Sequence, residues 1–251
     1  MTNREIIICR DIGQLSRKAA ERWVALARQA IAARGHCAIA LSGGSTPKAL
    51  YSMLATAEFN LQLPWRQIHL FWGDERCVAP DHAESNFRMV KEALLSKIPI
   101  PAENVHRMRG EFEAVAAASA YETELRQFFL PSPGQLPRFD LILLGLGEDG
   151  HTASLFPHSS ALNEMERWVA TTYVEKLGGH RLTLTFPVIN NAAQIAFLVA
   201  GASKAAIVKE ILTSEKGGDY PAARIRPGDG QLIWFVTQDA AGGLATKSTV
   251  I

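Results

Sequence analysis

Residues 139–152 read Phe139-Asp140-Leu141-Ile142-Leu143-Leu144-Gly145-Leu146-Gly147-Glu148-Asp149-Gly150-His151-Thr152, an apolar run followed by a glycine-rich turn. The run from Leu141 to Leu144 is short enough to be a buried strand. Three glycines within six residues then let the backbone bend sharply and approach a ligand closely. Asp149 and His151 follow at once, and open α/β sheets bind ligands beyond the carboxyl ends of their strands. The stretch therefore indicates either a candidate active site or an ordinary strand-to-helix turn with a surface histidine.

The three glycines of this turn, Gly145, Gly147 and Gly150, also match the dinucleotide-binding pattern G-x-G-x-x-G. That pattern requires a long helix whose N-terminus receives the pyrophosphate. Pro157 limits the segment after the glycines to little more than one turn. We therefore predict no dinucleotide site and no bound cofactor.

Length and composition are those of a globular α/β protein. The chain has 251 residues, 47% hydrophobic and 20% charged, and we expect one domain over residues 1–251. Its formal net charge of +1 gives no indication of a nucleic-acid or membrane partner. Cys9, Cys37 and Cys77 form no C-x-x-C pair, which is typical of reduced thiols. Because the N-terminus shows no secretory signal or membrane span, we expect a cytoplasmic protein.

Apolar segments that suit strands alternate along the chain with segments that suit helices. The predicted strands cover residues 6–9, 37–41, 68–72, 141–144, 168–174, 181–186, 194–200 and 232–236. The predicted helices cover residues 16–34, 47–54, 86–97, 111–129, 203–213 and 238–244. This alternation predicts a three-layer α/β/α fold, a modified Rossmann-like arrangement whose mostly parallel sheet is covered on both faces.

The second predicted strand runs into a loop of small polar residues, Ser42-Gly43-Gly44-Ser45-Thr46-Pro47. Thr46 is a natural N-cap, and Pro47 fits the first position of a helix. Hydroxyls and closely spaced backbone N–H groups at a helix N-terminus bind anions, phosphate above all. Lys204, at the start of the helix predicted for 203–213, would oppose the helix dipole unless it served an anion. An ordinary capped turn and a solvated lysine are the alternatives.

The third predicted strand ends in Gly73-Asp74-Glu75-Arg76-Cys77, which places three charges side by side. Arg76 can clamp a phosphate or a carboxylate with two hydrogen bonds. Asp74 can act as a base or orient a sugar hydroxyl. A solvated turn with local charge pairs is the alternative. The remaining histidines show no metal-binding i, i+4 spacing, so we predict no metal.

Several of these motifs together resemble those of the 6-phosphogluconolactonases. The matching segments are Leu41 to Pro47, Trp72 to Val78 with Ser85-Asn86, Gly145 to Pro157, Arg181-Leu182-Thr183, Pro187 to Asn190, Gly201 to Lys204, and Tyr220-Pro221-Ala222. The resemblance extends over nearly the whole chain, and the long glycine-histidine motif is its most specific part. The resemblance implies a fold shared with glucosamine-6-phosphate deaminases. It also implies hydrolysis of 6-phospho-D-glucono-1,5-lactone to 6-phosphogluconate in the oxidative pentose phosphate pathway.

Hydrolysis of a lactone needs a positioned water, a base, and positive charge where the oxyanion forms. A histidine suits the role of base because its ordinary pKa lies near neutrality. The expected catalytic residues are His151, Asp149, Arg76 and Asp74, and the expected substrate- and phosphate-binding residues are Ser42, Gly43, Gly44, Ser45, Thr46, Lys204, Arg181 and Asn86. Which arginine serves the phosphate stays open, as does contact between Asp149 and His151. The expected partner is the sugar-phosphate lactone, bound by a monomer or a weak homodimer.

Two other classes of function are alternatives. A sugar-phosphate isomerase or deaminase would share Asp74 and Asp149-Gly150-His151, but the deaminases carry a glutamate five residues after the histidine, where this chain has Phe156. A non-catalytic sugar-phosphate sensor would leave His151 and Asp149 without a task. It would also need a partner domain such as a DNA-binding helix-turn-helix.

Overall fold

The strands and helices follow the predicted alternation along the chain. The computed structural model describes residues 4–132, 134–213, 219–242 and 244. Its strands are β1 (Arg4–Cys9), β2 (Cys37–Leu41), β3 (Ile68–Trp72), β4 (Asp74–Arg76), β5 (Val105–His106), β6 (Leu141–Leu144), β7 (Val169–Val174), β8 (Gly179–Leu184), β9 (Gln194–Val199) and β10 (Gln231–Thr237). Its α-helices are α1 (Ile12–Arg34), α2 (Ser45–Leu54), α3 (Ala57–Asn60), α4 (Asn86–Ala93), α5 (Ala114–Phe129), α6 (Phe186–Asn190) and α7 (Ala205–Thr213).

The main sheet has seven strands in the order β1-β10-β9-β6-β2-β3-β5, and every neighbouring pair is parallel. Every residue of β2, β6 and β9 is buried. Strands buried on both faces are those that helices cover on both sides, which is why these segments read as continuous apolar runs. The predicted three-layer α/β/α fold with a parallel sheet is confirmed.

A second, three-stranded sheet was not predicted. Its order is β4-β8-β7, and both pairs are antiparallel. The sequence predicted β7 and β8 as strands but treated Asp74 to Arg76 as a loop. Asp74 pairs with Thr183, more than a hundred residues away along the chain. A pairing of this kind depends on tertiary packing, which local sequence patterns do not encode.

The start of α2 differs from the prediction. Gly44, with a φ of +101°, is the N-cap, and the helix begins at Ser45. Thr46 is therefore inside the first turn and is not the cap, and Pro47 is the third helical residue. The prediction was wrong because Gly44 makes the bend into the helix with a backbone conformation that residues with side chains rarely adopt.

Other helix ends show which capping groups act. Ser85 accepts a hydrogen bond from the Arg88 N–H at 3.1 Å and caps α4 as predicted, although a separate 3-10 turn covers Leu95–Lys97. Glu113 caps α5, so this helix begins three residues later than predicted. Residues 238–242 form turns, so the predicted closing helix is absent there, while residue 243 lies outside the described residues. No helix in the described ranges is long and apolar enough to cross a membrane.

Two buried tyrosines secure the carboxyl ends of the central strands. The hydroxyl of Tyr51 accepts from the Ser42 N–H at 3.0 Å and donates to the Ser42 carbonyl at 2.8 Å. The hydroxyl of Tyr121 accepts from the Trp72 N–H at 2.9 Å and lies 3.2 Å from the carbonyls of Trp72 and His106. Burial raises the pKa of both phenols above their ordinary range. Each phenol therefore stays protonated and anchors the backbone at the carboxyl end of a strand.

We expect Tyr121→Phe to lower the free energy of unfolding by about 1–3 kcal/mol, because the buried Trp72 N–H loses its acceptor. Urea denaturation measures the change. Tyr173→Phe is the matched control, because Tyr173 is exposed and the same oxygen is removed there. Equal stabilities for the two variants would contradict this role of Tyr121.

Candidate active site

Four neighbouring strands of the main sheet end in the loops that form one cavity. Strands β9, β6, β2 and β3 are adjacent, and because they are parallel their carboxyl ends lie at one edge. The cavity between the following loops has a volume of about 290 Å³. The sequence-predicted residues that line it are Ser42, Gly43, Gly44, Ser45, Thr46, Asp74, Arg76, Asn86, His151 and Lys204. Asp149 and Arg181, the other predicted site residues, do not line the cavity and lie behind lining residues.

The loop after β2 lies tightly against the segment that begins α4. A Cβ atom on Gly43 would lie 1.9 Å from Oδ1 of Asn86. The backbone of the loop therefore approaches Asn86 as closely as it does only because Gly43 has no side chain. The result is a loop with hydroxyls on Ser42, Ser45 and Thr46 at the N-terminus of α2, on one wall of the cavity.

His151 and Asp149 are in direct contact. Nδ1 of His151 lies 2.5 Å from Oδ1 of Asp149, and the His151 backbone N–H donates to the same oxygen at 3.2 Å. The other carboxylate oxygen of Asp149 accepts a hydrogen bond from Nζ of Lys176. Partial burial works to raise the pKa of Asp149, but the hydrogen bonds from Lys176 and His151 outweigh it and hold the pKa at about 2. Asp149 is therefore a carboxylate at any pH near neutrality.

The imidazole is also restrained by an aromatic ring. Phe156 stacks on His151 with 4.2 Å between ring centroids and an interplanar angle of 29°. Gly147 lies on the side of the imidazole that faces the Asp149 carboxylate, and its N–H donates to the His151 carbonyl at 2.8 Å. Hydrogen bonding at Nδ1 and stacking at the ring face together fix the direction in which Nε2 points.

Buried polar groups support the opposite wall of the cavity. Asp74 accepts a hydrogen bond from the Ser154 hydroxyl at 2.8 Å, and Asn86 Nδ2 donates to the Asp74 carbonyl at 2.9 Å. Glu75 is buried next to them and accepts from the backbone N–H groups of Arg76, Asn86 and Phe87. Asp74 lines the cavity, but its carboxylate already accepts a hydrogen bond from the Ser154 hydroxyl. Glu75 was not predicted to contribute, and its place in a charged turn gave no sign that it would be buried.

Positive charge reaches the cavity from two elements. Arg76 lies on β4 and donates to the Glu84 carbonyl at 2.6 Å. It pairs in register with Arg181 on β8. Burial, and then the charge of Arg76, lowers the pKa of Arg181. Lys204 ends the 3-10 turn Ala202–Lys204 before α7, with Nζ 3.8 Å from a carboxylate oxygen of Glu148. Of the two arginines, Arg76 lines the cavity and Arg181 does not.

Lys176 is the site residue that the sequence did not reveal. It lies between β7 and β8, 27 residues from Asp149, and no feature of that turn indicates a contact with Asp149. Only the folded arrangement of the β7–β8 hairpin brings it to the carboxylate. As for metals, no group of three or more His, Cys, Asp or Glu side chains within the described ranges is arranged to hold one.

This chain is similar to known proteins over most of its length. A family model described as "Glucosamine-6-phosphate isomerases/6-phosphogluconolactonase" matches residues 10–234. The chain belongs to this family. A 6-phosphogluconolactonase of Synechocystis sp. is 50% identical over 218 residues, which cover 86% of this chain and 88% of the relative.

Solved structures that are similar to this chain have the same fold. The crystal structure of a devB protein has a TM-score of 0.89 at 37% identity and covers 96% of this chain and 100% of that chain. The 6-phosphogluconolactonase of Trypanosoma cruzi has a TM-score of 0.86 at 31% identity, with 98% of each chain covered. Both similarities extend over the strands and loops that form the cavity.

We expect Gly43→Ala to lower the free energy of unfolding by about 1–3 kcal/mol, because its Cβ would overlap Asn86 and force the loop apart. Thermal or urea denaturation measures the loss. Gly228→Ala is the control, since a Cβ at Gly228 would meet no atom within 4 Å. A Gly43→Ala variant as stable as the control would show that the loop can move without cost.

Proposed function

We propose that this chain hydrolyses 6-phospho-D-glucono-1,5-lactone to 6-phospho-D-gluconate, a reaction of the oxidative pentose phosphate pathway. The observation that carries the proposal is that an oriented imidazole, His151 on Asp149, faces the same cavity as the anion-binding loop after β2. One end of the cavity can hold a phosphate while the other presents a base. The names of the relatives, 6-phosphogluconolactonases at up to 50% identity, support the same substrate.

His151 serves as the general base. Since Nδ1 is engaged by the Asp149 carboxylate, it carries the proton of the neutral ring, and Nε2 is left as the acceptor. Nε2 takes a proton from a water molecule as the water oxygen attacks the lactone carbonyl carbon. Asp149 remains ionised and stabilises the imidazolium that forms.

The tetrahedral intermediate collapses by breaking the bond between C1 and the ring oxygen. The imidazolium returns its proton to that oxygen, which becomes the hydroxyl of the open chain. The carboxylic acid formed at C1 then releases a proton to solvent, so each turnover yields one acid equivalent. Arg76 supplies positive charge to the oxyanion, because it is the guanidinium that lines the cavity.

The phosphate is bound by the loop after β2 together with Lys204. Hydroxyls and backbone N–H groups at the N-terminus of α2 supply donors, and Lys204 supplies the charge. Arg181 contributes through its charge behind Arg76. Asp74 and Asn86 are hydrogen-bonded to each other and line one wall of the cavity, where they contact the sugar hydroxyls.

The deaminase alternative is disfavoured at the position of Phe156. This apolar ring stacks on His151, at the position where the resemblance described above implies a glutamate in the deaminases. The glutamate that the deaminases carry at this position for ring opening is therefore absent from this chain. A cytoplasmic location and a monomeric or weakly dimeric state remain predictions; sedimentation of the purified protein tests the second.

We expect His151→Gln to lower kcat by about a hundredfold or more, because the variant has no group that takes the proton from water. Acid release from freshly prepared lactone, above the spontaneous rate, is the measurement. His158→Gln is the control, because His158 is exposed on the same loop and does not line the cavity. Turnover near that of the wild type would remove His151 from the mechanism.

We expect Lys204→Ala mainly to raise KM, because a phosphate contact away from the carbonyl stabilises ground state and transition state alike. The wild type should hydrolyse the unphosphorylated lactone poorly. In Lys204→Ala, the ratio of kcat/KM for the phosphorylated lactone to kcat/KM for the unphosphorylated lactone should be smaller than in the wild type. Lys209→Ala, an exposed change on α7, is the control. Equal kcat/KM of the wild type on both lactones would refute the phosphate assignment.

A further inference from the structure

Lys176 reaches the active site from the tip of the β7–β8 hairpin. It is part of a 3-10 turn over Glu175–Leu177, which Gly178 ends with a φ of +60°. The Gly178 N–H donates to the Glu175 carbonyl at 3.0 Å, and Val174 pairs with Gly179 below the turn. The six-residue ladder of the hairpin therefore fixes the backbone from which this lysine extends.

The lysine completes a unit of four side chains. Its Nζ is hydrogen-bonded to Oδ2 of Asp149, whose Oδ1 contacts His151. Its Nζ also lies 5.3 Å from the centre of the Phe156 ring, which stacks on His151 from the other side. Lys176 does not line the cavity in which substrate would bind. It contacts the groups that hold the imidazole instead.

We propose that Lys176 is a positioning residue for His151, which it orients by anchoring the second carboxylate oxygen of Asp149. The proposal rests on the proposed lactonase function. A carboxylate held at one oxygen can rotate about its terminal torsion, which is broad for Asp. Held at both oxygens, Asp149 keeps Oδ1 directed at Nδ1, and Nε2 stays aimed at the attacking water. Catalytic geometry depends on such supporting contacts.

Lys176 also alters the electrostatic environment of the His151 imidazole. Asp149 shares its negative charge between Lys176 and His151, so it stabilises an imidazolium less than an unshared carboxylate would. The other charged or titratable groups near the pair are Glu148 of the same loop, Lys204 before α7, Asp74 and Arg76 on the far wall, and Tyr220 packed on Gly150. None of these is hydrogen-bonded to Asp149 among the described residues, so substituting Lys176 changes one contact of the carboxylate.

A structural role for the same ion pair predicts a different result. The Lys176 side chain is 57% exposed, and exposed ion pairs contribute little to stability. We therefore expect Lys176→Met to melt within a few degrees of the wild type, so that a kinetic defect cannot be attributed to unfolding.

The test compares Lys176→Met, Lys176→Arg and the control Lys209→Met on the exposed surface of α7. We expect Lys176→Met to lower kcat about tenfold through misplacement of the base, with KM changed less than about twofold. The acid limb of its kcat/KM profile should move to higher pH by a few tenths to about one unit, because a cation near the imidazole is lost. Lys176→Arg keeps the charge and should restore the position of the limb.

Lys176→Met with kcat and acid limb equal to those of Lys209→Met would overturn the proposal. A rise in KM alone would overturn it too, because it would place Lys176 on the substrate. NMR titration of the His151 ring separates this proposal from the lactonase assignment, since it needs no turnover. If the wild type releases no acid above the spontaneous rate, the proposed function fails. A ring midpoint unchanged in Lys176→Met would instead show that the lysine does not act on the imidazole.

Discussion

The missing side chain at Gly147 is the constraint on which the half of the cavity that contains His151 depends. A Cβ atom there would lie 2.0 Å from Nδ1 of His151 and 2.6 Å from Oδ1 of Asp149, and both distances are too short for a Cβ atom and a non-bonded neighbour. Any other residue at this position would push the imidazole and its carboxylate away from each other or out of the cavity. Gly150 has a similar role, since its φ is +76° and the Tyr220 ring occupies the place of a Cβ. These two glycines of the turn therefore act mainly by leaving space for neighbouring side chains. Their spacing has this physical reason and does not require a bound dinucleotide.

The other half of the cavity is organised by a buried carboxylate that has no place in the chemistry. Burial raises the pKa of Glu75, while hydrogen bonds from the N–H groups of Arg76, Asn86 and Phe87 oppose the rise. The bonds from Asn86 and Phe87 tie β4 to the start of α4, two segments that are otherwise joined by an irregular loop. Asn86 is held against Gly43 as a consequence, and Arg76 is placed at the cavity. The small antiparallel sheet thus connects the arginines and Lys176 to the loops of the main sheet.

The sequence was informative wherever the determining interactions are local. Continuous apolar runs predicted β2, β3 and β6 to the residue, and the rule that parallel strands end at one edge brought most of the site together. It failed at the N-cap of α2, where the positive φ of Gly44 took the place of a side-chain cap. The sequence predicted neither the pairing of β4 with β8 nor the contact of Lys176 with Asp149. Each of these joins segments that are distant along the chain, and no sequence pattern indicates that they meet. The roles of the site residues remain predictions, now with a geometry that kinetics can test.

The position of the two arginines explains how the site can favour an anion before any ligand arrives. Arg76 and Arg181 lie side by side on β4 and β8, and two like charges at that separation repel one another. Glu84 and Asp74 offset part of the repulsion, as the opposing effects of their charges on the pKa of Arg181 indicate. Backbone pairing fixes the positive potential that the two guanidiniums contribute, and this contribution needs no rearrangement when negative charge appears in the cavity. The phosphate and the oxyanion would both benefit from it, so this potential alone cannot distinguish them. Discrimination between the two ends of the substrate must come from the directional groups, the N–H and hydroxyl donors of the loop after β2 at one end and the oriented imidazole at the other.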